Sequence, residues 1–466
     1  MDPQPHQSHP APGRGAAAAV FLAGVCAFLQ LYCTQPLLPL FTSIFHVTKA
    51  SAGLTVSAAT IAVAISAPFF GALTERLPRR RVILASIVGM AIPTLLAATA
   101  TSLTQLIVWR FLQGVMVPGV VAVLVTYIGE EWPPDRVPFI ISLYVSGTAL
   151  GGFLGRLTAG LLAEWFSWRV SFIALGLASF AGAAAVAAWL PHGRPRPSVR
   201  VPQVRIFGPG IPKSASSNST RLGENHIPLK GTGFSPYNDQ PEVYGASAPE
   251  GTRLHQVRGP HGQVLVRGVE IRALFHLPRL VATFAVGFNV LFSLVAVFTW
   301  ITFHLAAPPF SLSTAALSSL FFVYLVGLVV TPAAGYLITR TGLRAGIAAA
   351  MLLSMLGVLL TLAPSFIVVL IGLAMVCSGV FIAQTASQSF LRIATPPESR
   401  VTGAGLYMTC YYLGGTAAGV VPAIFWSIGK WPACVAFILV TQSLALAIAL
   451  FSWRGAMPTQ SIPESA

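Results

Sequence analysis

Gly71-Ala72-Leu73-Thr74-Glu75-Arg76-Leu77-Pro78-Arg79-Arg80 follows the second of twelve long apolar stretches, and Gly335-Tyr336-Leu337-Ile338-Thr339-Arg340-Thr341-Gly342-Leu343-Arg344 follows the eighth. Gly71, Leu73, Arg76 and Arg80 match Gly335, Leu337, Arg340 and Arg344 at one constant offset of 264 residues. A chain that repeats a six-span unit, with the same Gly–Arg hairpin in each copy, points to two related bundles side by side.

Composition puts those bundles in a bilayer. Hydrophobic residues make up 55% of the chain and charged residues 9%, against roughly a quarter charged in soluble domains. No Asp, Glu, Lys or Arg occurs between Arg279 and Arg340, a stretch that holds two spans of about 20 residues each. The spans read 16–41, 52–73, 81–100, 103–128, 137–164 and 168–190, then 279–304, 312–338, 344–363, 365–391, 401–428 and 432–453. They are too long for barrel strands, so helices must satisfy their backbones in lipid. The expected fold class is an all-α membrane protein with twelve transmembrane helices in two pseudo-symmetric six-helix bundles. The expected domains are a disordered tail at 1–15, bundles at 16–190 and 279–453, a disordered cytoplasmic linker at 191–278 and a C-terminal tail at 454–466. The linker is Pro-rich, polar and basic, without an apolar period.

The net charge of +15 does not indicate nucleic acid, because the arginines gather in alternate loops and the linker rather than beside exposed aromatics. Arg76, Arg79, Arg80, Arg81, Arg136, Arg340, Arg344, Arg392 and Arg400 mark one side of the membrane, whereas the other loops carry little beyond Lys49, Arg169 and Lys430. Positive loops stay inside, so both termini are expected in the cytoplasm of a plasma membrane, the bacterial inner membrane. The segment Met1–Gly15 lacks the basic flank and cleavage site of a secretory signal. Cys26, Cys33, Cys377, Cys410 and Cys434 all lie in apolar spans without metal-ligand spacing and read as packing residues. No metal, cofactor or catalytic constellation is expected, and the partners expected are a small-molecule substrate, protons and lipid, around a monomer.

The Gly71–Arg80 loop resembles the Gly-x-Leu-x-Asp-Arg-x-Gly-Arg-Arg/Lys signature of the major facilitator superfamily, with Glu75 for the Asp and Pro78 for the second Gly. Arg110-Phe111-Leu112-Gln113-Gly114 resembles that family's Arg-x-x-Gln-Gly motif. Gly151-Gly152-Phe153-Leu154-Gly155-Arg156-Leu157-Thr158-Ala159-Gly160 is similar to the Gly-x-x-x-Gly-Pro-x-x-Gly-Gly motif of proton-driven exporters, with Arg156 in place of the proline. Together with Tyr32-Cys33-Thr34-Gln35-Pro36-Leu37-Leu38-Pro39, the Gly155-Arg156 pair resembles the branch of bacterial acriflavine-sensitivity and arabinose-efflux-like permeases. The resemblance implies proton-coupled efflux by alternating access. It implies a role for Arg110 in proton coupling, and a contact between Glu75 and the start of span 11 that latches the cytoplasmic side with Arg76 and Arg80. It also implies a cavity lined mainly by spans 1, 4, 7 and 10.

Residue chemistry adds candidates. Arg110 and Arg156 stand inside apolar spans, where a charge costs at least about 2.5–3.5 kcal/mol on insertion scales and is functional by default. Arg110 is near enough to a span end for snorkelling to be a second reading. Gln30, Tyr32, Gln35, Gln113, Asn289, Tyr324, Gln384, Gln388, Tyr411 and Tyr412 are coupling or cavity candidates, and Trp300 reads as a cavity residue or an interfacial anchor. Gly71, Gly335, Arg340 and Arg344 join the gating set. So do Gly151, Gly155, Gly415 and Gly419, whose spacing fits close approach of helices from opposite bundles or plain packing. No Asp or Glu lies inside a span, which tilts the interior towards anionic or neutral cargo. Within transport, the second reading is an organic-anion or sugar carrier working inward. A membrane sensor and an embedded enzyme are readings of other classes. Against the enzyme, no His-Glu-x-x-His or nucleophile-elbow motif occurs. Substitution Glu75→Gln is expected to leave the protein in the membrane and slow transport; unchanged transport kinetics remove Glu75 from the mechanism.

Overall fold

Every described element is helical. The computed structural model describes residues 13–133, 136–191, 274–396 and 399–453; apart from their margins, the expected tails and linker lie outside the described residues. The first half comprises α1 (Arg14–Leu29), α2 (Leu38–Ile44), α3 (Lys49–Arg76), α4 (Arg79–Ala97), α5 (Leu103–Met116), α6 (Pro118–Glu131), α7 (Val137–Trp165) and α8 (Trp168–Trp189). The second comprises α9 (Pro278–Leu305), α10 (Thr314–Ser319), α11 (Val326–Thr341), α12 (Leu343–Leu360), α13 (Phe366–Ala394), α14 (Arg400–Val420) and α15 (Pro422–Ser452).

Among the described residues nine helical runs are long and apolar enough to cross a membrane, with α5 and α6 counted as one. The other spans are interrupted. Span 1 is α1 and α2 joined through residues 30–37, and span 8 is α10, a 3₁₀ segment Leu320–Leu325 and α11. Span 11 runs from α14 past Val421 into α15, which bends at Gly429 and Lys430 to begin span 12. The fold is the expected one of twelve transmembrane helices in two six-helix bundles, packed as one compact unit.

The expectation of continuous helices in spans 1 and 8 is corrected, and span 1 has a clear cause. Pro36 has no N–H, and in a continuous helix its ring collides with the carbonyl of residue 32. The chain tightens here: the Gln35 N–H turns to the Tyr32 carbonyl at 3.1 Å and the Leu37 N–H to the Thr34 carbonyl at 3.0 Å. Tightening to i→i+3 bonds releases the Leu31 carbonyl, which would otherwise take the Gln35 N–H.

Within each bundle the helices cross on glycine. A Cβ on Gly24 would stand 2.7 Å from the Tyr144 carbonyl, and one on Gly287 would press into the Tyr407 ring. A Cβ on Gly151 would strike the Val25 carbonyl, and one on Gly414 the Phe288 carbonyl. Residues 24, 25, 144 and 151 are each 263 positions before 287, 288, 407 and 414, so the duplication is legible in the packing itself. Of the two readings of the span 5 glycines, close approach between opposite bundles is corrected and plain packing holds. Gly151 and Gly155 seat α7 against α1 of the same bundle, Gly155 meeting the Leu29 backbone, while Gly414 does the same against α9. Gly415 faces both ways, towards Leu291 and towards Thr60.

Two seams join the bundles. Along α3 and α14, Gly53 meets the Gly419 backbone, the Ser57 hydroxyl donates to the Thr416 carbonyl at 2.7 Å and the Thr416 hydroxyl donates to Thr60 at 3.1 Å. Along α7 and α10, Gly160 meets Ser318, and the Thr314 N–H donates to Glu164 Oε2 at 3.0 Å. Both seams close the end of the bundles that carries Lys49, whose Nζ sits 5.4 Å from the Trp426 ring and 5.9 Å from that of Phe303, and the α3–α14 seam continues to mid-depth, where the Thr409 hydroxyl donates to the Ala64 carbonyl at 3.4 Å. Small residues at such crossings let backbones approach and supply van der Waals contact that lipid cannot.

Gly151→Val is expected to destabilise the purified protein by about 1–3 kcal/mol, the cost of overpacking a filled contact. Gly129→Val, where a Cβ meets nothing within 4 Å, is expected to leave the melting temperature unchanged. Equal melting of the two variants would contradict the crossing.

Candidate functional site

Both buried arginines converge on the interruption of span 1. Arg110, on α5, is 1% exposed. Its Nε donates to the Thr55 carbonyl at 3.2 Å, Nη1 to the Gln30 carbonyl at 2.7 Å and to Gln113 Oε1, and Nη2 to the Leu31 carbonyl. Two of those acceptors sit just past the C-terminus of α1, at the negative end of its dipole. Each hydrogen bond to a charged group contributes about 1.5–3 kcal/mol, so a few offset an insertion cost of about 2.5–3.5 kcal/mol. The snorkelling reading is corrected: the guanidinium points into the bundle and spends its donors there.

A layer of neutral polar side chains surrounds it. Gln113 Nε2 donates to Gln30 Oε1 and to the Thr94 hydroxyl, each at 2.7 Å; Thr94 donates to Gln30 Oε1, and Gln30 Nε2 donates to Ser179. Spans 1, 3, 4 and 6 are thereby tied together by one buried network. Thr94 and Ser179 are absent from the sequence candidates, because a lone hydroxyl in an apolar span usually bonds its own helix. Ser179 does so as well, to the Leu175 carbonyl at 2.9 Å.

Arg156, on α7, is 2% exposed and lies where the bundles meet. Nε donates to Gln35 Oε1 at 2.7 Å and Nη1 to the Gly152 carbonyl at 2.6 Å. Its Cζ is 4.8 Å from the Tyr32 ring centroid, 4.9 Å from that of Phe321 and 4.5 Å from that of Tyr324. Gln35 Nε2 in turn donates to the Thr299 hydroxyl on α9 at 3.0 Å. Tyr32 and Gln35 come from the interruption of span 1, Phe321 and Tyr324 from the 3₁₀ segment of span 8. Non-helical backbone at membrane depth is tolerated where it is buried in protein or lines a cavity. Phe321 and Thr299 are further residues that sequence reasoning missed.

The remaining candidates divide. Tyr411 and Tyr412 are buried and edge-on to each other at 5.5 Å, with Tyr411 stacked on Tyr407 at 6.1 Å. Asn289 is buried, but its Oδ1 accepts from Ser293 of its own helix at 3.3 Å. Gln384 is half-buried and Gln388 exposed. Trp300 is not an interfacial anchor: it is 0% exposed and its Nε1 donates to the Ala418 carbonyl at 3.0 Å.

Of the gating set, Arg80 and Arg344 do the same thing in each half. Arg80 donates to the carbonyls of Leu190 at 2.8 Å and Ala187 at 2.5 Å, at the end of α8, and Arg344 donates to the Leu450 carbonyl at 2.9 Å, near the end of α15. A cation at a helix C-terminus contributes about 0.3–1 kcal/mol, and each arginine fastens the last helix of its own bundle. Arg79 pairs with Glu130 at 2.5 Å, and Arg340 is exposed. Gly419 is a seam residue. The side-chain surroundings of Gly71, Glu75, Arg76 and Gly335 lie outside the described residues.

The profile of the Major Facilitator Superfamily matches residues 20–419. The inner membrane transport protein YnfM of Escherichia coli (strain K12) is 33% identical over 435 residues, covering 92% of this chain and 88% of that protein. An uncharacterized transporter of Buchnera aphidicola subsp. Schizaphis graminum is 28% identical over 432 residues, covering 93% and 90%. Among solved structures, a bacterial homolog of the human lysosomal transporter Spinster, inward-facing and unoccupied, matches with a TM-score of 0.68 at 14% identity, over 94% of this chain and 96% of that one. That likeness is one of fold.

Gln113→Leu removes the only side-chain oxygen that Arg110 bonds among the described residues. The variant is expected to lose about 1.5–3 kcal/mol of stability, read as a lowered melting temperature in detergent. An unchanged melting temperature would show that the network does not hold the bundle.

Proposed function

The chain belongs to the major facilitator superfamily, and from that premise we propose that it is a proton-coupled secondary transporter that exports small organic molecules by alternating access. That it is a multi-pass membrane transporter follows from the family. The observation carrying the mechanism is that both described seams close the same end of the bundles, with Arg156 enclosed beyond them between two interrupted helices. The loops at the opposite end hold Arg79, Arg80 and Arg344. By the positive-inside rule that end is cytoplasmic, as are both termini, and the closed end faces out. Discontinuous helices at mid-depth are where such carriers hold substrate and coupling ions. Proton drive, export and membership of the acriflavine-sensitivity and arabinose-efflux-like branch are supported by the span 5 motif and the Tyr32–Pro39 stretch. The second reading is an organic-anion or sugar carrier working inward, and its anion branch is favoured by one observation: Arg110 and Arg156 are buried inside the spans, whereas the buried Glu131 stands at a helix end.

Vesicles reconstituted with the full chain and given a pH gradient test the proposal against a panel of dyes, sugars and organic acids. Accumulation is expected to collapse with an uncoupler; accumulation that persists removes proton drive. Oxidising a Ser57→Cys, Thr416→Cys pair is expected to stop transport and reduction to restore it. Undiminished transport by the cross-linked protein overturns alternating access at this seam.

A further inference from the structure

We propose that Arg156 anchors a binding site for organic monocarboxylates with a flat, aromatic body; this deepens the transporter reading and rests on it. Four observations carry the assignment. Among the described residues Arg156 makes no ion pair, so its charge is met by a neutral amide, one carbonyl and three ring faces. Among the described residues its Nη2 makes no hydrogen bond, so the Nε and Nη2 edge is held only through Gln35 at Nε. Among the described residues the Tyr324 hydroxyl is buried without a partner, and its ring lies against the guanidinium. Arg110 also lacks an ion pair among the described residues but differs in its donors: Nε, Nη1 and Nη2 each reach a carbonyl or Gln113, whereas Nη2 of Arg156 reaches none.

Charge balance then selects the ligand. A single carboxylate neutralises one buried guanidinium and matches its planar fork bidentately. A second negative charge would be left buried and unpaired, and a cation would be repelled. The body of the ligand meets Tyr32, Phe321 and Tyr324, whose faces favour a flat apolar group over a sugar. A carboxylate bound on the Nε and Nη2 edge takes the place of Gln35, which also holds Thr299 across the bundles. Occupancy and the contact between bundles are thereby linked through one side chain.

Equilibrium binding of radiolabelled benzoate to the purified full-length protein in lipid nanodiscs tests the site. Benzamide, benzylammonium and phthalate serve as competitors of neutral, positive and doubly negative charge. Benzoate is expected to bind, and each competitor to displace it at least about tenfold less well than unlabelled benzoate, the loss expected for one charge-assisted contact. Arg156→Gln is expected to abolish binding, Arg156→Lys to weaken it about tenfold by removing the fork, and Tyr324→Phe to weaken it several-fold with the ring retained. Benzamide competing as well as benzoate, a comparison made on the unaltered protein, overturns the assignment, as does undiminished benzoate binding by Arg156→Gln. Absence of benzoate binding by protein that still moves a neutral or cationic compound in vesicles overturns this site alone and leaves the transporter reading in place.

Discussion

The structure turns on a proline that prevents one helix from being continuous. Because Pro36 cannot donate, span 1 tightens over residues 30–37 and releases backbone carbonyls at mid-bundle. Arg110 takes the carbonyls of Gln30 and Leu31, and Arg156 takes the Gln35 side chain and the Tyr32 ring from the same short segment. Neither cation has an acidic partner among the described contacts. Their charge is balanced by helix-end dipoles in one case and by amide and aromatic quadrupoles in the other. Straightening span 1 would strand both, so a local backbone constraint sets the electrostatics of the whole interior.

The two arginines nevertheless have different standing. Arg110 is bound within the first bundle, in a network that reaches spans 1, 3, 4 and 6. Arg156 reaches across to span 8 and, through Gln35, to span 7. One cation bonds within a single bundle; the other touches both. Rigid halves with a responsive contact between them are the physical requirement for rocking about a central site.

The architecture was legible in the sequence because it rests on apolar length and on one repeated loop, both written in single letters. The importance of Arg110 and Arg156 was legible for the same reason: a charge inside an apolar run stands out. Their partners were not, since a freed carbonyl has no letter, and Thr94, Ser179, Thr299 and Phe321 look like any membrane residue. The one available signal was Pro36 within span 1, which foretells released carbonyls. Glycine spacing identified close crossings but not their partners. Gly151 and Gly155 meet α1 of their own bundle whereas Gly419 meets α3 of the other, and the spacing is blind to that difference. Trp300 reads two ways in the sequence because it stands near a span end, and the interfacial reading fails since its buried indole finds the Ala418 carbonyl.

The 263-residue relation between the halves fails at both buried arginines. The position equivalent to Arg156 is Gly419, and the position equivalent to Arg110 is Leu373. An ancestral doubling has thus left two unlike sutures on one scaffold. On one side a Cβ on Gly53 would strike the Gly419 backbone and the Ser57 hydroxyl joins Thr416; on the other a cation rests among three rings. A symmetric frame therefore carries two chemically unlike closures, one of small residues and hydroxyls and one of charge against aromatic rings.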